Sequence, residues 1–133
     1  MSIRTIILLF FIPAIIFPRE FEVNEINLTG LINDRGQEIS GMDWYKDKLF
    51  LLPENQGGFL FVLTRKQILS AVNSINNKSI APKQTRFQTP DYSKMIPGFD
   101  GFEAISFKKK NVYISIEAEK NGIMTGYVVW GKI

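Results

Sequence analysis

The sequence predicts a mainly β protein with one short helix, assembled from two copies of one sheet unit. Three observations carry that prediction. The run Ser40-Gly-Met-Asp-Trp-Tyr-Lys-Asp-Lys-Leu-Phe-Leu-Leu-Pro-Glu54 aligns without a gap, at an offset of 63 residues, on Glu103-Ala-Ile-Ser-Phe-Lys-Lys-Lys-Asn-Val-Tyr-Ile-Ser-Ile-Glu117. Both runs read as β-branched or aromatic segments bracketing a short polar turn. Only Thr64 to Ser74 shows helical spacing between a cap and an apolar face.

The aligned copies put small on small (Gly41, Ala104) and apolar on apolar (Met42/Ile105, Trp44/Phe107, Leu49/Val112, Phe50/Tyr113, Leu51/Ile114). Identity is confined to Lys46/Lys109 and Glu54/Glu117. If five extra residues are allowed in the second connecting loop, Gly58-Phe-Leu-Phe-Val62 matches Gly126-Tyr-Val-Val-Trp130. Each copy is then a strand, a tight turn, a strand, a loop bearing a glutamate and a third strand. Such a unit buries its faces only against neighbours of its own kind.

The other elements follow in order. Residues 20–32 alternate well enough for a strand (Phe21, Val23, Ile26, Leu28), and Asn33-Asp-Arg-Gly36 reads as a turn. Thr64 is a fitting N-cap for a short outer helix with Ile68, Leu69 and Val72 on one face. Residues 75–90 are polar and proline-containing, an exposed connection in which Thr85 to Gln88 is a candidate edge strand. Repeat 1 spans about residues 38–90 and repeat 2 about residues 97–133 of a domain covering 20–133.

At the N-terminus, Met1-Ser-Ile-Arg4 precedes thirteen uncharged residues, Thr5 to Phe17. That is the length of a secretory hydrophobic region and short of the roughly twenty residues of a spanning helix. Residues 1–19 therefore read as a signal peptide or signal anchor. The expected location is exported (periplasmic, cell envelope or secreted), or membrane-anchored through residues 5–17 if the segment is retained. Asn27-Leu-Thr29 and Asn77-Lys-Ser79 fit the glycosylation acceptor pattern, which matters only in a eukaryotic host.

Composition excludes several classes. The chain has no cysteine and no histidine, so disulfides, thiolate chemistry, the usual catalytic triads and nearly all zinc sites are out. A net charge of +3, scattered along 133 residues, is not the footprint of a nucleic-acid protein. Lys108 to Lys110 reads as a solvated hairpin tip.

Ser40-Gly-Met-Asp-Trp44, Leu51-Leu-Pro-Glu54, Phe61 to Leu69, Ile96-Pro-Gly-Phe-Asp-Gly-Phe-Glu-Ala-Ile105 and Val112-Tyr-Ile-Ser-Ile-Glu-Ala118 together resemble the opening blades of secreted β-propellers. The similar groups are the esterase-like phytase domains and the strictosidine-synthase and gluconolactonase propellers. The resemblance covers about residues 38–131, and its specific part is Gly-Phe-Glu-Ala-Ile followed by Ile-Glu-Ala. It implies a partial β-propeller of about two four-stranded blades, the second incomplete. It also implies that Glu103 is a channel glutamate, that Ser40 holds the equivalent place in the first copy, and that Glu54 and Glu117 match the acidic residue after the second strand.

A ring needs several blades, because closure is what protects sheet edges. The expectation is therefore a truncated or split product, or a chain whose missing blades come from a partner chain or from self-association. Calcium takes six to eight oxygen ligands, which makes Glu54, Glu103 and Glu117 the candidate metal ligands, with Asp43 and Asp100 behind them. Simple solvation or backbone hydrogen bonding of these carboxylates is the competing expectation. Two functions stay open: an exported, non-enzymatic binding or structural module of unknown small-molecule ligand, and a calcium-dependent phosphoesterase or lactonase whose activity needs further blades.

Overall fold

The computed structural model describes residues 23–74 and 78–133. The export segment expected over residues 1–19 lies outside them, as does Asn77 of the second acceptor triplet. Among the described residues, no helix is long and apolar enough to cross a membrane.

The fold is mainly β, in three sheets. A four-stranded sheet has the order β2 (Ile39–Tyr45), β3 (Lys48–Pro53), β4 (Phe59–Thr64), β6 (Lys83–Arg86). A three-stranded antiparallel sheet follows, β7 (Phe99–Lys108), β8 (Asn111–Lys120), β9 (Ile123–Lys132). A two-residue parallel pair joins β1 (Asn27–Leu28) to β5 (Ser79–Ile80).

The two larger sheets share one register. In the first, Met42, Asp43, Trp44 and Tyr45 pair with Leu51, Phe50, Leu49 and Lys48. In the second, the residues 63 positions on, Ile105, Ser106, Phe107 and Lys108, pair with Ile114, Tyr113, Val112 and Asn111. The third strands agree as well: Phe50 pairs with Val62, and its counterpart Tyr113 pairs with Trp130. That is the offset of the Gly58/Gly126 match. Lys46 and Lys109, the one identical turn residue, have φ of 56° and 58°.

Each first strand also carries a β-bulge at the same place. Ile39 pairs with Pro53 and Gly41 with Leu52, leaving Ser40 as the extra residue; Phe102 pairs with Ile116 and Ala104 with Ser115, leaving Glu103. An extra residue shifts the alternation of side chains by one. Phe102 and Ile105 thereby fall on one face although they are three residues apart, and both are buried.

That face packs on the first sheet. Leu52 and Leu60 from the first sheet join Phe102, Ile105, Val112, Ile114 and Ile116 of the second in one core, flanked by Phe50, Phe107 and Val129. The opposite face of the first sheet is covered separately: Leu51, Phe61 and Leu63 pack with Ile32, Leu28, Ile80 and Ile68. Fully burying such a side chain is worth about 1.5–3 kcal/mol. The first sheet is thus covered on both faces and the second on one.

Helix α1 (Arg65–Val72) starts where expected, with Thr64 Oγ1 accepting from Gln67 N–H and Gln67 Oε1 accepting from Thr64 N–H. Its inward side is Ile68, which packs on the Leu51, Phe61 and Leu63 face of the first sheet, and the buried Ala71, while Leu69 is exposed.

Four expectations need correction. The strand expected over residues 20–32 is reduced, among the described residues, to Asn27–Leu28, and Gly30–Asn33 forms a 3-10 turn instead that brings Ile32 into the core. The edge strand expected at Thr85–Gln88 lies at Lys83–Arg86. A second helical turn, α2 (Tyr92–Met95), was not anticipated. Glu117 is not in a loop: β8 continues to Lys120 and turns at Asn121-Gly122, both at positive φ, the pattern that suits a two-residue hairpin.

Candidate functional site

β2 and β7 meet side by side without sharing a backbone ladder. Ser40 near Phe102 and Asp43 near Phe107 show that they run in the same direction. Ser40 Oγ donates to the Phe102 carbonyl, and Phe107 N–H donates to Asp43 Oδ2 at 2.7 Å. Between these two ties the backbones close up at Gly41, where a Cβ would stand 2.9 Å from Ala104 Cα. The repeat positions that read as small on small are therefore a contact.

At the N-terminal end of this seam the acidic residues collect. Glu54, just past β3, donates its N–H to the Glu38 carbonyl (2.7 Å), and its own carbonyl accepts from Phe102 N–H (3.0 Å). Its side chain lies across Gly101, where an added Cβ would fall 2.7 Å from Glu54 Cγ. Gly101 in turn pairs with Glu117, and Glu103 sits two residues on, in the bulge. Partial burial, and then the negative charges of Glu103, Glu38, Asp100 and Glu117 in that order, hold the Glu54 carboxyl above the ordinary glutamate value.

Glu54, Glu103 and Glu117, chosen on sequence, are thus brought to one end of the seam together with Asp100. Asp43 is not among them. Both its oxygens are engaged along the seam, Oδ1 by Trp44 N–H at 2.7 Å and Oδ2 by Phe107 N–H, so it ties strands together. Ser40 likewise serves the seam.

Glu38 was missed. It is the counterpart of Gly101, and extending the alignment two residues upstream of Ser40 would have reached it. Its Oε2 accepts from Asn55 Nδ2 at 2.7 Å. Beside it Gln37 is buried, with Nε2 3.4 Å from Gln56 Oε1 and an Oε1 without a partner. Among the described residues, no three carboxylates stand close enough to enclose a metal ion. The charges act on one another at a distance.

A cleft of about 330 Å³ opens next to the acidic end, lined by Asn55, Gly58, Thr89, Tyr92, Phe99 and Phe102 among others. Its floor is aromatic. Tyr92 and Phe99 each set an edge against Phe102, with ring centres 6.2 and 5.4 Å apart. The polar groups of Asn55 and Thr89 on its wall give it the mixed character of small-ligand sites.

In comparisons with known proteins, no family model matches this chain, and neither a curated protein nor a solved structure does.

Proposed function

We propose that this chain is an exported, non-enzymatic binding or structural module made of two successive wedges of the β-propeller type. One observation carries the reading: β2 and β7, equivalent strands of the two copies, lie side by side in one direction while their sheets face each other through a shared core. Innermost strands of neighbouring blades stand in that relation. A single continuous sheet or a sandwich closed on both edges would not bring two equivalent edge strands together in this way. The cleft over Phe102 is the natural place for a small ligand, and the thirteen uncharged residues from Thr5 to Phe17 support export.

The calcium-dependent hydrolase has less behind it. It draws on the raised Glu54 carboxyl, which a bound cation would relieve, while among the described residues no three acidic side chains are gathered as a ready cation site. Thermal melting of the purified protein in calcium and in chelator, with assays on a phosphate monoester and a lactone, separates the two readings. The module predicts no calcium-dependent hydrolysis and no shift in melting temperature. Turnover that appears with calcium and disappears in Glu54→Gln would overturn it. The wedge arrangement has its own check in nuclear Overhauser contacts between Gly41 and Ala104; contacts from Gly41 to β3 alone would sink it.

A further inference from the structure

β9 is an edge strand with the composition of an interior one. Over its ten residues it has a single charge, Lys132, no proline, and a register with β8 free of bulges. Met124, Val128 and Trp130 are exposed on one face and Ile123 and Tyr127 on the other, where only Val129 turns into the core. Long apolar edges of this kind template a further strand, and native chains guard them with charges, prolines or bulges. β9 has none of these along residues 123–131.

Its counterpart in the first sheet is not left open. The outer edge of β4 is closed by antiparallel β6, with Phe59, Leu60, Phe61 and Val62 opposite Arg86, Thr85, Gln84 and Lys83. Among the described residues, no strand does this for β9.

We propose that β9 pairs antiparallel with β9 of a second copy of this chain, joining two three-stranded sheets into one across a twofold axis at Val128. The charges select this occupant. One end of the sheet carries Lys108, Lys109, Lys110 and Lys132, and the other carries Glu103, Glu117 and Glu119, with Lys120 as the cation among them. Antiparallel pairing of two copies sets the basic end of each against the acidic end of the other, and brings Lys132 opposite Met124 of the second copy, whose own partner in β8 is Glu119 on the same face. Parallel pairing would align like with like. Complementary ends fix orientation and register, and a twofold contact needs only one self-complementary surface. The inference goes beyond the module reading and does not depend on it, since it needs only a free edge and its charges.

The test is sedimentation of the full chain over a concentration series at low and high salt. A dimer that forms with concentration and weakens with salt is expected. Val128→Lys places an ammonium group from each copy beside the axis and should weaken the dimer by about tenfold or more. The fold itself should survive, because Val128 is 72% exposed. Lys132→Glu should also weaken association, and adding Glu119→Lys should restore it. Because the apolar residues 5–17 can hold copies together on their own, Val128→Lys is the deciding comparison. An oligomer indifferent to that substitution overturns the proposal. So does a monomer at every concentration, which would leave the edge to a strand from a different protein.

Discussion

Gly41 and Ala104 meet backbone to backbone: a Cβ on Gly41 would lie 2.9 Å from Ala104 Cα and 2.9 Å from Ile105 N. Backbone atoms held in a ladder have little room to retreat, so Gly41→Ala forces β2 and β7 apart. Overpacking of this kind costs roughly 1–3 kcal/mol, read as a drop of several degrees in melting temperature. Gly126→Ala is the control, because nothing stands within 4 Å of a Cβ there. Equal melting of Gly41→Ala and the parent chain would mean that the two strands do not touch.

Asp43 supplies the polar tie of the same seam. Asp43→Ala leaves the partly buried Phe107 N–H unpaired, at a cost of about 1–3 kcal/mol. Asp43→Asn retains one carbonyl oxygen, enough for one of the two bonds, and should lose less. Hydrogen exchange reports the difference locally: the Phe107 amide should exchange faster in Asp43→Ala while amides in the middle of β8 keep their protection. Unchanged exchange at Phe107 would remove Asp43 from this role.

Much of this architecture is legible in the sequence because a hairpin writes its register into the spacing of its residues. Val62 and Trp130, aligned by allowing five extra residues, occupy equivalent registers opposite Phe50 and Tyr113, and Thr64 with Gln67 announces the start of α1. Glu117 was harder. The likeness of Glu54 and Glu117 drew the loop too early, although Asn121-Gly122, the better turn signal, stands just beyond. The helical turn at Tyr92–Met95 has one turn and no capping side chain, so no periodicity could reveal it. The role of Asp43 depends on a strand 64 residues away, and the alternation of β2 alone holds no trace of it. For the acidic end, residue type singled out Glu54, Glu103 and Glu117, but their spacing from one another is a property of how the sheets pack.

The paired turns offer a test of equivalence. Lys46 and Lys109 both sit at positive φ, 56° and 58°, a region that costs an L-residue about 1–2 kcal/mol. Glycine relieves that strain but loses more entropy on folding, so each substitution to glycine should fall between neutral and about 1 kcal/mol stabilising. The informative outcome is that Lys46→Gly and Lys109→Gly agree with one another. Opposite signs in denaturant titrations would show that the two turns are not alike.

Glu54 gives the acidic end a dependence on pH. Its carboxyl is raised in the folded chain, first by partial burial and then by Glu103, Glu38, Asp100 and Glu117. Between the ordinary glutamate value and the raised one, the folded state holds more proton at this site than the unfolded state does. Stability must then fall as pH rises through that interval, and the contribution is fully present only below it. Glu54→Gln removes the effect, so the variant should be the more stable at neutral pH, by about 0.5 kcal/mol for a group this accessible to solvent. The advantage should vanish under acid. Among the neighbours, Glu103→Gln should lower the Glu54 titration midpoint, followed by NMR of its carboxyl carbon, more than Asp100→Asn or Glu117→Gln does, because Glu103 is the largest charge effect on it. A midpoint at the ordinary glutamate value in the parent chain, or one untouched by Glu103→Gln, would mean that the carboxylates are not gathered at the end of the β2–β7 seam.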